Sequence, residues 1–158
     1  MVGIASQLKS DESTKYHSIA KVSSGLINLN YYDIYENLEV KFKKYPNSKV
    51  YVCIGTNDGK NIGDIKFGTD DWILEYTIRI DLLTAICGKD NIVFVIMPKM
   101  KTLPKIKIIR QIIIDYSTWN GLKYIDLWDA LDEKYRTPDK IHCTNAGYKI
   151  LAENLKNS

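Results

Sequence analysis

The sequence has few of the residues and segments that several specialised protein classes require. Its three cysteines, Cys53, Cys87 and Cys143, are too few and too widely spaced for a disulfide framework or a zinc site. Only 3 of the 22 basic residues are arginine, and they form no basic patch, which argues against a nucleic-acid-binding protein. No apolar run approaches the roughly 18–20 residues of a membrane helix. With 158 residues, 45% of them hydrophobic, and a net charge of +3, the chain has the composition of one globular domain.

The order of apolar segments predicts alternating strands and helices. Short runs rich in Val, Ile and Tyr predict strands at Tyr16–Val22, Lys49–Ile54, Ile92–Met97 and Tyr124–Asp126. Apolar residues three and four positions apart predict helices at Val2–Lys9, Tyr32–Tyr45, Asp70–Cys87, Pro104–Trp119 and Thr144–Leu155. Two of the strands are almost continuously apolar, as expected when helices cover both faces of a sheet. The pattern predicts a single three-layer α/β/α domain over residues 1–158, built on a parallel sheet.

Three polar or glycine-containing segments lie where such sheets bind ligands, at the carboxyl ends of strands or the starts of helices. They are Ser-Ser-Gly-Leu at 23–26, Gly-Thr-Asn-Asp-Gly at 55–59 and Asp-Lys-Ile-His at 139–142. The third has the clearest chemistry, because a carboxylate three residues before a histidine can fix the tautomer of the ring. The other ring nitrogen is then free to act as a general base.

The first two segments offer hydrogen-bond donors rather than a base. Asn57 can direct an amide N–H at a developing oxyanion, and Gly25 can add a backbone N–H. Each segment also has an ordinary interpretation, because Asn-Asp-Gly and D-x-x-H both occur in turns and a glycine after two serines is common in loops.

Taken in chain order, Gly25, the G-x-N-D segment at Gly55–Asp58 and the D-x-x-H segment at Asp139–His142 resemble the SGNH (GDSL-like) hydrolase family over nearly the whole chain. Tyr-Ile-Asp-Leu-Trp before the last motif and Cys-Thr-Asn-Ala-Gly-Tyr directly after His142 extend the resemblance. Members are flavodoxin-like α/β/α domains that hydrolyse esters, often acetyl groups on sugars or cell-wall polymers. The resemblance implies that His142 is the base, Asp139 its orienting partner, and Gly25 and Asn57 the oxyanion donors.

The sequence departs from that family in one respect, because the Gly-Asp-Ser nucleophile motif and the strand before it are absent. Residues Met1–Ala5 resemble the family segment that directly follows the motif, so we expect a truncated chain whose nucleophilic serine would lie two positions before Met1. Ser23 and Ser24 are next to a motif but lack the Gly-Asp-Ser context. The resemblance therefore implies that the chain by itself is inactive and that its sheet lacks a central strand, between Tyr16–Val22 and Lys49–Ile54.

A second function is compatible with the same residues. A non-catalytic carbohydrate-binding or scaffold protein that keeps the cleft would also retain Asn57 and His142. A nucleotide or flavin site is disfavoured, because the chain has no G-x-G-x-x-G and no P-loop. We expect no metal and no organic cofactor, since the two histidines and three cysteines lack ligand spacing. The expected partner is a small-molecule or carbohydrate ester, and the resemblance suggests a bacterial enzyme of the periplasm or cell envelope.

Overall fold

The structure is a computed structural model that describes residues 2–8, 16–19, 21 and 23–158. Its sheet contains three parallel strands in the order β1-β2-β3, namely β1 (Val50–Val52), β2 (Ile92–Ile96) and β3 (Lys123–Asp126). Val50 is paired with Ile92, and Val93 with Lys123. Because the strands are parallel, their carboxyl ends share one edge of the sheet, and the segments that follow them lie side by side there.

The predicted helices are confirmed, with ends that differ from the prediction by at most two residues where the structure describes them; Lys9 lies outside the described residues. They are α1 (Val2–Leu8), α2 (Ile34–Lys44), α3 (Asp70–Cys87), α4 (Ile106–Asn120) and α5 (Asn145–Lys156). The side chains of Asp33, Thr69 and Thr144 cap α2, α3 and α5 by accepting backbone N–H groups of the first turn. A short 3-10 helix, Glu133–Tyr135, precedes the segment that contains His142.

Two apolar clusters cover the two faces of the sheet, which confirms the three-layer α/β/α prediction. Every residue of β2 is buried, and its side chains alternate between the faces. Phe94 belongs to the cluster formed with α2, α3 and α4, whereas Val95 belongs to the cluster formed with α1 and α5. Continuously apolar strands are therefore a consequence of helices on both sides.

The predicted strand Tyr16–Val22 is wrong for the residues that the structure describes. Residues 16–19 and 21 form no strand, and residues 20 and 22 lie outside the described part of the chain. A strand needs a neighbour to which its backbone can bond, and among the described residues β1 pairs with a strand on one side only. Between β1 and residues 16–19 lies a cavity of about 500 Å³, which we call the β1 groove. The other predicted strands are confirmed, with β1 shortened to three residues.

The β1 groove combines apolar walls with a sheet edge that pairs with no other strand in the described part of the chain. Its walls come from both helical layers and include Ile4 and Leu155 on one side and Leu38, Phe42 and Leu83 on the other. The N–H of Val50 donates to the Asn91 carbonyl, towards β2, at 2.7 Å. Peptide groups alternate in direction along a strand, so the backbone groups of Tyr51 and Cys53 point away from β2 and towards the groove.

Candidate active site

The loop that contains Asp139 and His142 is held together by the carboxylate of Asp139. One carboxylate oxygen, Oδ1, accepts the Thr137 hydroxyl at 2.7 Å, the Ile141 N–H at 2.8 Å and the His142 N–H at 3.0 Å. The other, Oδ2, lies 2.6 Å from Nδ1 of the His142 ring. The structure therefore brings the predicted base and its orienting partner into contact.

These hydrogen bonds also favour the ionised form of Asp139. The bond from His142, followed by those from the Thr137 hydroxyl and the two backbone N–H groups, holds the pKa of Asp139 well below its ordinary value. An ionised Asp139 keeps the proton of a neutral His142 ring on Nδ1, which leaves Nε2 as an acceptor. Within the described residues no hydroxyl is hydrogen-bonded to Nε2, and the His142 side chain is 66% exposed.

The two ends of this loop are joined to each other. Arg136 and Cys143 form an antiparallel bridge, and the Thr137 N–H donates to the His142 carbonyl at 3.0 Å. Between them, Lys140 adopts a left-handed conformation with φ of 60°, which residues other than glycine rarely adopt. The Asp139–His142 contact therefore belongs to a closed loop with one strained residue.

The predicted oxyanion donors are neighbours, but they point in different directions. The Nδ2 of Asn57 donates to the Ser24 carbonyl at 2.9 Å, which ties the segment after β1 to the segment containing Gly25. Peptide bonds in the described residues are all trans, so the Gly25 N–H lies opposite the Ser24 carbonyl that Asn57 contacts. The Asn57 amide must leave or rotate about that carbonyl before both groups can donate to one oxygen.

Asp58 determines how the Gly25 segment packs, a role that sequence analysis missed. Its side chain is fully buried, and Oδ1 accepts the N–H groups of Leu26 at 2.8 Å and Ile27 at 3.3 Å, while Oδ2 accepts the Tyr76 hydroxyl at 3.0 Å. Burial raises the pKa of Asp58 despite these bonds. A Cβ on Gly25 would lie 2.2 Å from Oδ1, so this close approach by itself requires glycine at position 25.

Arg136, which sequence analysis also missed, connects the Asp139–His142 loop to the sheet. Its Nη2 donates to the carbonyls of Pro98 at 3.2 Å and Lys99 at 2.9 Å, both directly after β2. Asn57 follows β1, the neighbour of β2. The loop and Asn57 therefore lie on the same edge of the sheet. The only signal in the sequence is that Arg136 is one of three arginines and stands six residues before the histidine.

The three cysteines are buried thiols. Cys53, Cys87 and Cys143 are free and buried, and burial raises the pKa of the Cys53 thiol to about 12. In the described part of the chain, no group of three or more His, Cys, Asp or Glu side chains could hold a metal ion. None of the helices described combines the length and apolar character needed to cross a bilayer.

Two comparisons give matches. Residues 1–135 match the profile of a family described as "Protein of unknown function (DUF459)", a match that ends just before the Asp139–His142 loop. Among solved structures, the lipase/acylhydrolase from Enterococcus faecalis is similar, with a TM-score of 0.72 and 14% identity over 98% of this chain and 83% of that chain. At this identity the likeness shows the α/β fold. No curated protein matches the chain.

Proposed function

The chain belongs to the DUF459 family, whose function is unknown, and we propose that it is an ester hydrolase of the SGNH type. The proposed substrate is an O-acetyl or other carboxylic ester of a carbohydrate or of a cell-envelope polymer. The observation that carries the proposal is the 2.6 Å contact between Asp139 Oδ2 and His142 Nδ1, on the sheet edge that also bears Asn57. The fold shared with an acylhydrolase supports it.

In the proposed reaction, His142 accepts a proton at Nε2 from a hydroxyl as the hydroxyl oxygen bonds to the ester carbonyl carbon. The ring then returns that proton to the leaving alkoxide as the ester C–O bond breaks. A water molecule repeats the two steps on the acylated hydroxyl, which releases the acid and regenerates the hydroxyl. Asp139 stabilises the charged ring through Nδ1 and does not itself take the proton. Asn57 and Gly25 donate to the developing oxyanion, and each such donor is typically worth about 3–4 kcal/mol of barrier.

The nucleophile in this proposal is a serine on a segment that precedes Met1 and occupies the β1 groove. The backbone groups of Tyr51 and Cys53, which face away from β2 and pair with no strand that the structure describes, suit a β-strand, and an alkyl chain could not bond to them. A strand that runs parallel to β1 ends where β1 ends, beside Asn57 and Ser24. Ile4 of α1 lines the groove, so such a strand can lead directly into α1.

The test compares the 158-residue chain with a chain extended before Met1 by a five-residue apolar strand followed by Gly-Asp-Ser-Ala. We expect negligible hydrolysis of 4-nitrophenyl acetate by the original chain and clear hydrolysis by the extended one. The matched controls are the same extension ending in Gly-Asp-Ala-Ala and the extended chain with His142→Ala, both of which should be inactive.

Two results would contradict this proposal. Robust, His142-dependent hydrolysis by the original chain would mean that the nucleophile lies elsewhere. An inactive extended chain whose Cys53 amide is newly protected from hydrogen exchange would mean that the strand docks without forming an active site.

The second candidate is a non-catalytic carbohydrate-binding or scaffold protein. One observation favours it, the hydrogen bond that the Asn57 amide donates to the Ser24 carbonyl. This candidate predicts that the extended chain binds acetylated oligosaccharides in calorimetry without releasing acetate. Acetate release that requires His142 would exclude it.

A further inference from the structure

We propose that Arg136 is a positioning residue that fixes where the Asp139–His142 loop sits relative to the end of β2. Its significance for catalysis rests on the proposed function, whereas its effect on the loop does not. In the described part of the chain, the hydrogen bonds that join residues 136–143 to the segment after β2 are those of the Arg136 guanidinium.

The guanidinium contacts both structures at once. Nη2 donates to the carbonyls of Pro98 and Lys99 after β2, while Nη1 donates to the Ile141 carbonyl at 2.8 Å, one residue before His142. Nη1 also lies 3.6 Å from the sulfur of Cys143, one residue after His142. Because the guanidinium is planar and rigid, the directions of these bonds are fixed relative to one another.

Stability alone does not account for an arginine here. The Arg136 side chain is buried at 7% exposure, and among the described residues its partners are carbonyls and a thiol, with no carboxylate ion pair. A buried charge carries a large desolvation cost, and no carboxylate offsets that cost here. What an apolar residue cannot supply is the connection between Ile141 and the two carbonyls after β2.

The remaining hydrogen bonds of residues 136–143 set the internal shape of the loop and do not reach the segment after β2. Asp139 bonds to Thr137, Ile141 and His142, all within the loop. Without Arg136 the Asp139–His142 contact can persist while the loop shifts against the sheet. A displacement of about 1 Å between a base and its target can reduce a rate by up to about 10²-fold.

The first experiment uses the chain as it is and requires no activity. Residual dipolar couplings of the backbone N–H groups of residues 137–143, measured in solution, report the orientation of the loop relative to the sheet. We expect Arg136→Met to change this orientation strongly and Arg136→Lys to change it less, because one ammonium cannot span both sets of acceptors. The ring proton on Nδ1 of His142 should remain hydrogen-bonded in both variants.

Tyr116→Phe is the matched control. Tyr116 is also 7% exposed, and its hydroxyl bonds to Asp81 at 2.7 Å and Thr84 at 3.1 Å, in the layer of α3 and α4. This variant should lose stability without reorienting the loop. Parent-like couplings in Arg136→Met would overturn the proposal, and if that variant does not fold, parent-like couplings in Arg136→Lys would do so.

The second experiment separates this proposal from the proposed function. In the strand-extended chain, Arg136→Lys should lower kcat for 4-nitrophenyl acetate about 10- to 100-fold with KM changed less than twofold, because the base is misplaced and the substrate surface is intact. Reorientation of the loop together with an inactive extended parent whose Cys53 amide is newly protected would support the positioning role and contradict the esterase. An active extended chain whose kcat is unchanged by Arg136→Lys would overturn the positioning role alone.

Discussion

Asp58 offers the most decisive test of how the candidate site is held in place. Its carboxylate is the shared acceptor for the Leu26 and Ile27 N–H groups and for the Tyr76 hydroxyl, so it joins the Gly25 segment, the end of β1 and α3. Asp58→Ala removes all three acceptor contacts at a fully buried position. Asp58→Asn keeps an oxygen for the two N–H groups and offers an amide that can donate to the tyrosine oxygen.

The two substitutions should therefore lower the free energy of unfolding by different amounts. Each buried donor left without an acceptor costs about 1–3 kcal/mol, and relief from burying a carboxylate offsets part of the sum. Asp58→Ala should therefore lower the free energy of unfolding by about 3–5 kcal/mol, a large part of the roughly 5–15 kcal/mol of a typical domain. Asp58→Asn should stay within about 1 kcal/mol of the parent. Urea denaturation followed by circular dichroism measures both.

The pH dependence provides the control. Because burial raises the pKa of Asp58, the folded chain retains a proton that the unfolded chain releases near pH 4. The contribution of Asp58 to stability is therefore greatest below that pH and declines as the pH rises through the folded-state pKa. The stability of Asp58→Asn relative to the parent should therefore increase as the pH rises over this range. An Asp58→Ala variant within 1 kcal/mol of the parent would refute the reasoning.

Three further predictions concern the same edge of the sheet. Because hydrogen bonds lower the pKa of Asp139, the stability they provide is complete above its ordinary pKa of about 3.9 and is lost as the pH falls towards the folded-state pKa. NMR of the His142 Nδ1 proton should show the loss of its hydrogen bond to Asp139 in that pH range. In Asp139→Ala the same bond should already be absent at neutral pH. Lys140→Gly should raise the free energy of unfolding by up to about 1 kcal/mol in urea titrations, because glycine adopts a left-handed φ without strain. A lower free energy of unfolding in this variant would contradict the claim that Lys140 is strained. Gly25→Ala should destabilise by about 1–3 kcal/mol through its clash with Asp58, and the clash should weaken in the Asp58→Ala background.

Local patterns were sufficient to predict the helices and the buried strands. Helix caps such as Thr69 and Thr144 act within one turn, and the continuous apolar run of β2 reflects burial on both faces. The Asp139–His142 contact spans three residues and was predictable for the same reason. Its geometry depends on one turn of chain, whatever surrounds it.

The missed features depend on contacts between distant parts of the chain. Whether residues 16–19 form a strand depends on a neighbouring strand, which no local pattern reveals. Arg136 bonds to a carbonyl 37 positions away and Asp58 to an N–H 32 positions away, so their roles follow from the tertiary arrangement. Gly25 was assigned as an oxyanion donor, and the structure adds a packing reason for glycine at that position.

The most direct measurement is a crystal structure of the strand-extended chain after reaction with a methyl fluorophosphonate, whose phosphoryl oxygen stands in for the oxyanion of the ester. We predict an adduct on the introduced serine, with that oxygen about 3 Å from Asn57 Nδ2 and from the Gly25 N–H, and His142 Nε2 within hydrogen-bonding distance of the serine oxygen. An adduct whose phosphoryl oxygen faces solvent, while the Asn57 amide still contacts the Ser24 carbonyl, would contradict the account.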